Sequence, residues 1–117
     1  MSADESTATW PDPAIVAAGI YKPVFENDRI RVLDVRLQPG EIAAMHGHPD
    51  HVLYVVADST FKITSPDGRT HELALEAGQV LWSDAEAHAA ENIGTSETHT
   101  LAIELKEPAG GHPALRR

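Results

Sequence analysis

The amino-acid sequence predicts an all-β protein, either a β-sandwich or a small barrel, from three observations. About eight short segments are rich in β-branched and apolar residues, and turn-forming residues separate them. Short strands at such regular spacing are typical of sandwiches and barrels. The length of 117 residues fits one domain with a small core. Helix is expected only in segment 12–20, as one or two turns.

The predicted strands follow one another in sequence, and each ends at a group of Pro, Gly, Asp or Ser residues. Segment 60–64 and segment 70–75 flank the turn SPDG and are expected to form a hairpin. Segment 20–26 has the composition of a further strand that could join the sheet of a neighbouring subunit. The eight main strands are predicted at 29–37, 41–48, 51–58, 60–64, 70–75, 79–82, 87–92 and 98–106.

The two ends of the chain differ in composition from its centre. Residues 1–12 are rich in Ser, Thr, Asp and Pro and predict a flexible leader. Residues 107–117 contain two prolines and two adjacent glycines and predict a flexible tail, which leaves 13–106 as the β-barrel domain. The first residues lack the basic-then-apolar order of a signal peptide, so a cytoplasmic location is expected.

The charge and the cysteine content exclude several classes of function. Acidic residues outnumber basic ones by 18 to 9, giving a formal net charge of −9. Such a protein repels nucleic acid and anionic membrane surfaces, so neither is expected as a partner. The chain has no cysteine, which rules out disulfides, thiolate metal sites and cysteine nucleophiles.

Histidines are concentrated in the stretch MHGHPDH. His46 and His48 point to the same side of a strand because side chains alternate between faces. His51 shares its face with Leu53 and Val55, and it points inward if they do; a register shift of one residue would turn it outward. His88 has only small neighbours on its face, which leaves room for a metal, but spacing alone does not bring it to the others.

Two stretches resemble the two sequence motifs of the cupin family. PGEIAAMHGHPDH, followed by YVV, resembles the first motif, G-x5-H-x-H-x3/4-E. GQVLWSDAEAHAAEN resembles the second motif, which ends in H-x3-N. The matching residues are Gly40, His46, His48, Gly78, His88 and Asn92.

The resemblance covers residues 20 to 106, and the flanks are similar to a subgroup of small single-domain cupins that includes proteins named for β-alanine degradation. It implies a single jelly-roll β-barrel with a short irregular N-terminal segment. It also implies that the motif residues converge on one metal inside the barrel. Small cupins commonly pair, so a homodimer is expected.

The sequence departs from the family pattern in ways that bear on the metal. His51 stands where the first motif has its glutamate, and Asp84 and Glu86 replace a proline and a glycine of the second. The resemblance therefore implies four neutral ligands around one divalent transition metal per chain. Imidazole suits Fe, Ni, Zn or Cu, and the uncompensated charge favours an anionic small molecule as ligand. The predicted metal ligands are His46, His48, His51 and His88.

Further predictions concern residues outside this set. His99 shares its parity with Leu101 and Ile103, so it is expected to face the interior, as a core histidine or a pocket acid–base. Asn92 is expected to fix its own turn. The remaining assignments place Trp82 and Phe25 in the core, His71 in solvent, Tyr54 outside the barrel, and Asp34 and Arg36 on the outer side of their strand.

Three functions are compatible with this pattern. The first is a small metalloenzyme, a dioxygenase-like oxidoreductase that acts on a small organic acid or dicarbonyl. The second is a binding or sensing module with a structural metal and no turnover. The third, which requires four histidines to cluster without a purpose, is a metal-free barrel that binds a small molecule. Whether the protein is an enzyme stays open at this point.

Overall fold

The computed structural model describes residues 10–106 of the chain. This part of the chain contains one helical turn and nine β-strands. In chain order they are α1 (Pro13–Val16), β1 (Tyr21–Glu26), β2 (Ile30–Leu37), β3 (Ile42–His48), β4 (His51–Ala57), β5 (Ser59–Thr64), β6 (Thr70–Leu75), β7 (Val80–Ser83), β8 (Glu86–Asn92) and β9 (Thr98–Leu105).

The strands form two antiparallel sheets that enclose one core. The five-stranded sheet has the order β1-β2-β9-β4-β7, and the four-stranded sheet has the order β3-β8-β5-β6. Leu33 and Val35 come from the first sheet, Phe61 and Ile63 from the second, and all four belong to the same buried cluster. The prediction of an all-β jelly-roll barrel is therefore confirmed. Among residues 10–106, no helix has the length and apolar character needed to cross a membrane.

Strand β2 shows how alternation sets the inner face of the larger sheet. Leu33, Val35 and Leu37 are buried, whereas Arg36 is exposed and Asp34 is only partly buried. An antiparallel ladder orients opposed residues to the same side, so the inward face of β2 fixes that of its partner β9. The prediction for these residues of β2 is confirmed.

Hydrogen bonds of Pro11 and Asp12 fix the segment that precedes β1. The Asp12 carboxylate caps α1 by accepting a hydrogen bond from the Ala14 amide at 2.9 Å, and Pro13 occupies the first helical position. The Gly47 amide donates to the Pro11 carbonyl at 3.0 Å. The helix has a single turn, within the predicted segment 12–20. The rest of the predicted leader, and all of the predicted tail with His112, lie outside the described residues.

Strand β1 pairs with β2 of the same chain, with a register shift between Pro23 and Phe25, and its joining the sheet of a neighbouring subunit stays a prediction. Its other edge has no partner strand within the described part of the chain. Every residue of β1 after Tyr21 is exposed. Phe25 was predicted to lie in the core. It is 53% exposed, so this prediction is wrong.

The outward residues of β4 and β7 decide two more predictions. Leu53 of β4 opposes Leu81 of β7, and both contact the core. Alternation therefore turns Trp82 outward, and it is 55% exposed, so its prediction as a core residue is wrong. Tyr54 is 39% exposed on the same outer face, as predicted.

Candidate metal centre

Pairing of β3 with β8 brings three histidines together. His46 opposes His88 in the ladder, and His48 opposes Glu86, so all four side chains start from one face of the sheet. A bulge between Ala43 and His46 adds one residue to β3, which lets both Ala43 and His46 point inward. The ligand nitrogens of His46, His48 and His88 lie within 4.8 Å of one another. Three imidazole nitrogens at this spacing could hold a metal ion.

Hydrogen bonds fix the tautomers of the histidines. The Nδ1–H of His46 donates to the Ala44 carbonyl at 2.6 Å, and that of His51 donates to the Pro49 carbonyl at 2.8 Å. A carbonyl can only accept, so in each neutral ring the proton is on Nδ1 and the lone pair is on Nε2. His46 Nε2 is buried and has no hydrogen-bond partner among the described residues. Such an orphaned acceptor fits a metal ligand.

Burial and mutual repulsion keep two of these imidazoles neutral. Burial, and then the neighbouring His48, lower the pKa of His46 to about 3. Burial also lowers the pKa of His48 well below its usual value, with further contributions from His51 and His88. Both rings therefore carry free lone pairs at neutral pH, which is the protonation state that metal binding requires.

A buried carboxylate that sequence reasoning missed orients His48. The Nδ1–H of His48 donates to Glu104 Oε2 at 2.8 Å, and Glu104 is 3% exposed. Arg31 Nε donates to Glu104 Oε1 at 2.9 Å, and the Arg31 guanidinium also donates two bonds of 3.0 Å to Asp12. Burial raises the pKa of Glu104, and the charge of Arg31 opposes that rise. A carboxylate on Nδ1 holds a ligating histidine in place and increases its basicity.

A second missed carboxylate lies beside His88. Glu86 Oε2 is 3.5 Å from His88 Nδ1 and accepts a hydrogen bond from Ser83 Oγ at 2.8 Å. Burial acts to raise the pKa of Glu86, but the contact with His88 and the Ser83 bond outweigh it and lower the pKa to about 2. With Glu104, this residue places two carboxyl groups beside the imidazoles. The charge of an ion bound there would be partly compensated, contrary to the expectation from the sequence.

His51 and Tyr21 complete the surroundings of the cluster. His51 is 4% exposed and points inward as predicted, and its ring centroid lies 4.9 Å from that of His48. It stands outside the group whose nitrogens are within 4.8 Å, so its place as a fourth ligand stays a prediction. The Tyr21 ring packs on His46 at a centroid distance of 4.8 Å, and burial raises the pKa of its phenol, which stays neutral.

His99 does not face the interior, and the prediction of a pocket acid–base there is wrong. Along β9 the buried residues are Thr98, Thr100, Ala102 and Glu104, which oppose the inward residues of β2 and β4. His99 therefore lies on the outer face, where its Nε2 is 2.9 Å from Asp34 Oδ1 without the alignment of a hydrogen bond. The inner face of β9 is small and polar, so the apolar alternation indicated the wrong side.

Asn92 and His71 lie away from the histidine cluster. Asn92 is fully buried and donates to the carbonyls of Leu37 and Ser96 at 2.8 and 2.9 Å, while accepting from the Gly94 amide at 2.8 Å. It fixes its turn, as predicted. His71 is exposed as predicted, but its register opposite Ile63 places it at the rim of the cavity described next.

A cavity of about 270 Å³ lies between the two sheets, beside the histidines. His48, His51 and His88 line one part of it, together with Tyr21 and Glu86. Apolar side chains from both sheets line the rest. A metal held by the histidines would therefore adjoin a space that can admit a small molecule.

Comparisons with known proteins concern the fold. No family model matches the chain, and no curated protein does. Among solved structures, a cupin domain from Bordetella pertussis Tohama I is 24% identical with a TM-score of 0.69, over 74% of this chain and 92% of that chain. A Klebsiella pneumoniae protein with a double-stranded β-helix domain is 22% identical with a TM-score of 0.60, over 94% of this chain and 91% of that one. A cupin superfamily protein from Desulfitobacterium hafniense has a TM-score of 0.57 at 19% identity, over 75% and 77% of the two chains.

Proposed function

The chain has the cupin fold, and from this premise we propose that it is a small metalloenzyme with one divalent transition metal, acting on a small organic acid or dicarbonyl in an oxygenase-like reaction. The observation that carries the proposal is the buried, unpartnered Nε2 of His46 next to His48 and His88. An unsatisfied buried acceptor is costly, and a bound metal ion would remove that cost.

The proposed ligands are His46, His48 and His88, with His51 as the fourth. Neutral imidazole donors favour Fe, Ni, Zn or Cu over Mg, Ca or Mn. When bound, such an ion supplies Lewis acidity and, if it is redox-active, reactivity toward dioxygen. Glu104 holds His48 in place, and the apolar cavity walls exclude water from the organic ligand. His99 takes no part because it lies on the opposite face of β9.

A binding or sensing module with a structural metal is the second candidate, and the position of His51 favours it. This ring is buried beside His48 and would supply a fourth nitrogen ligand. Four imidazoles could saturate a tetrahedral ion, which would leave no position for a substrate. X-ray absorption on the metal-loaded protein separates the two: open or water-filled positions support the enzyme, and four nitrogens alone support the module.

Elemental analysis of untagged protein tests the metal site. About one metal per chain is expected, and it should be lost in the alanine variants of His46, His48 and His88. His71→Ala and His99→Ala are matched controls, because these histidines lie outside the cluster, and both should retain the metal. Retention of the metal by His46→Ala would refute the site. Oxygen uptake by the loaded protein with dicarbonyl and keto-acid substrates then tests turnover, and its absence across the panel would argue for the module.

We also propose that the protein is a homodimer, joined through the outer face of the five-stranded sheet. Tyr54 and Val80 are opposed across β4 and β7, and both are exposed although apolar. A second copy would cover these apolar rows, and the carboxylate of Asp34, which lies opposite Leu101 at the end of one row, is already paired with Arg36. The apolar rows are Val32, Ile103, Val52 and Trp82, then Leu101, Tyr54 and Val80.

Light scattering with Val80→Arg tests the dimer. The introduced charge should convert a dimer into a monomer at micromolar concentration, whereas Ile42→Arg should not. Ile42 is a suitable control because it is 59% exposed but lies on β3 of the other sheet. A monomeric parent protein would contradict the proposal. The cytoplasmic location, the exclusion of nucleic acid and membranes, and the resemblance to β-alanine degradation proteins stay predictions.

A further inference from the structure

We propose that the cavity takes a ligand with one anionic head group and an apolar body, of which an aliphatic monocarboxylate is the simplest case. This inference rests on the proposed function, because the head group would be held at the metal. It is narrower, since the proposed function also admits dicarboxylates and other polar acids. It depends on how the polar and apolar side chains divide the cavity wall.

The part of the wall next to the clustered histidines is polar. His88 and Glu86 come from β8, and His48 comes from β3. His51 and Ser83 are opposed across β4 and β7, and they add to the same part. A carboxylate head group is expected here because it can bind the proposed metal ion directly, even though Glu86 and Glu104 offset part of the charge of that ion.

The apolar part of the wall is built from cross-strand pairs of both sheets. Leu53 opposes Leu81 in the larger sheet, and Phe61 opposes Leu73 in the smaller one. Leu53, Leu73 and Leu81 are only half-buried although they contact the core, so they retain surface that a ligand can cover. Thr100 and Ala102 of β9 are small, which keeps the space between these leucines open.

The wall offers no partner for a second negative charge. No lysine or arginine is among the described residues that line the cavity, and Glu86 adds a carboxyl group instead. His71 is the titratable group on the apolar side, but it is exposed at the edge strand β6, where solvent screens it. A second carboxylate would therefore lose its hydration without gaining a counter-ion, which is costly. The volume of about 270 Å³ limits the ligand to a short hydrocarbon body.

A carboxylate series on cobalt-loaded protein tests the inference through the cobalt absorption spectrum and calorimetry. Acetate carries the head group alone, hexanoate adds the apolar body, and adipate has the same length with a second carboxylate. Each buried methylene is worth up to about fourfold in affinity. Hexanoate should bind at least tenfold more tightly than acetate, and at least tenfold more tightly than adipate.

Variants of the apolar wall sharpen the test. Leu73→Gln should weaken hexanoate binding by about tenfold and leave acetate binding and metal content unchanged. Leu81→Gln, on the opposite sheet, should also weaken hexanoate binding. It replaces Leu73→Gln in the test if that variant folds poorly. Ile42→Gln is the matched control, because Ile42 is exposed outside the cavity, and it should change neither affinity.

The outcomes separate this inference from the proposed function. Adipate binding as tightly as hexanoate, or no response of the loaded protein to any of the three acids, would overturn the inference and leave the metal site standing. A chain that binds no metal, or binds it equally after His46→Ala, would refute the proposed function itself. Selective hexanoate binding that Leu73→Gln weakens would support the inference.

Discussion

The two faces of strand β9 contrast in a way that explains much of this molecule. Its inner face carries Thr98, Thr100, Ala102 and Glu104, which are small or polar and buried. Its outer face carries Leu101 and Ile103, which continue an apolar surface onto β4 and β7. The usual pattern of apolar residues inside and polar residues outside is thus inverted on this strand.

The inversion has a physical reason on each side. Large side chains on the inner face would fill the cavity, and a leucine at position 104 would remove the carboxylate that orients His48. The outer face can be apolar if another subunit covers it. The alternation of apolar and polar residues therefore identifies a strand, but it does not show which of the two faces points to the interior.

The ion pairs on the two faces of the larger sheet differ in their exposure to solvent. Arg31 and Glu104 pair on the inside at 2.8 Å, with side chains 16% and 4% exposed. Arg36 and Asp34 pair on the outside at 3.2 Å, with side chains 51% and 23% exposed. Water screens the second pair and barely reaches the first, so equal substitutions should have unequal effects.

The largest expected effect follows from removing Arg31. Arg31→Met leaves the Glu104 carboxylate buried beside His48 without its counter-ion, and the free energy of unfolding should fall by about 3–5 kcal/mol. The outer-face control, Arg36→Met, should cost about 0.5 kcal/mol or less. Urea denaturation of the metal-free proteins measures both. Equal losses in the two variants would show that the inner pair is no better protected from water than the outer one.

Next in size is the effect of Glu104 on the metal. Glu104→Gln replaces the carboxylate behind His48 with a neutral acceptor, so metal affinity should fall by about 10- to 100-fold, or roughly 1.4–2.7 kcal/mol. Competition with a chelator of known affinity measures the change. The control is Glu97→Gln, which alters an exposed carboxylate near the outer-face Arg36. An unchanged affinity in Glu104→Gln would mean that the carboxylate does not support a ligand.

Substitution of Asp12 should have a smaller effect on fold stability, and this effect should depend on pH. Asp12 lies at the solvent-exposed end of the network that it forms with Arg31 and Glu104. The hydrogen bond from Arg31 lowers the pKa of Asp12 below its usual 3.8. Because the folded-state pKa is the lower one, ionised Asp12 stabilises the fold above about pH 4, and this stability is lost as the pH falls through the folded-state pKa. Asp12→Asn should cost about 1 kcal/mol or less at pH 7, since the carboxylate is 37% exposed.

Denaturation of Asp12→Asn at several pH values checks this sign. The difference from the parent protein should shrink as the pH is lowered from 5 toward 2. Asp67→Asn, in an exposed pair with Arg69, is the control and should show little difference at any pH. A difference that grows on acidification would contradict the assigned direction of the pKa shift.

The smallest effect is expected at His99. His99→Ala should leave the metal content unchanged and alter the free energy of unfolding by about 0.5 kcal/mol or less, because the side chain lies on the outer face in a partly exposed contact with Asp34. Elemental analysis and denaturation measure the two quantities. Loss of the metal in this variant would mean that β9 presents its other face to the site.

The local part of this structure was predictable from the sequence. Turn residues and period-two patterns located the strands, and the spacing of His46 and His48 placed both on one face. The inward direction of His51 also followed, because Leu53 and Val55 share its side of β4. These predictions hold because each depends only on neighbouring residues.

The tertiary structure decided everything that depends on pairing between distant segments. Arg31 reaches Glu104 across 73 positions of sequence, and His88 meets His46 through the register of β3 and β8. Alternation along one strand is the same whichever face is buried, so only its ladder partners could turn Glu104 inward and His99 outward. The sequence thus determined the strands and the kind of ligand atoms they carry. The sheet register determined which of those atoms meet, because a contact between strands is a property of the pair.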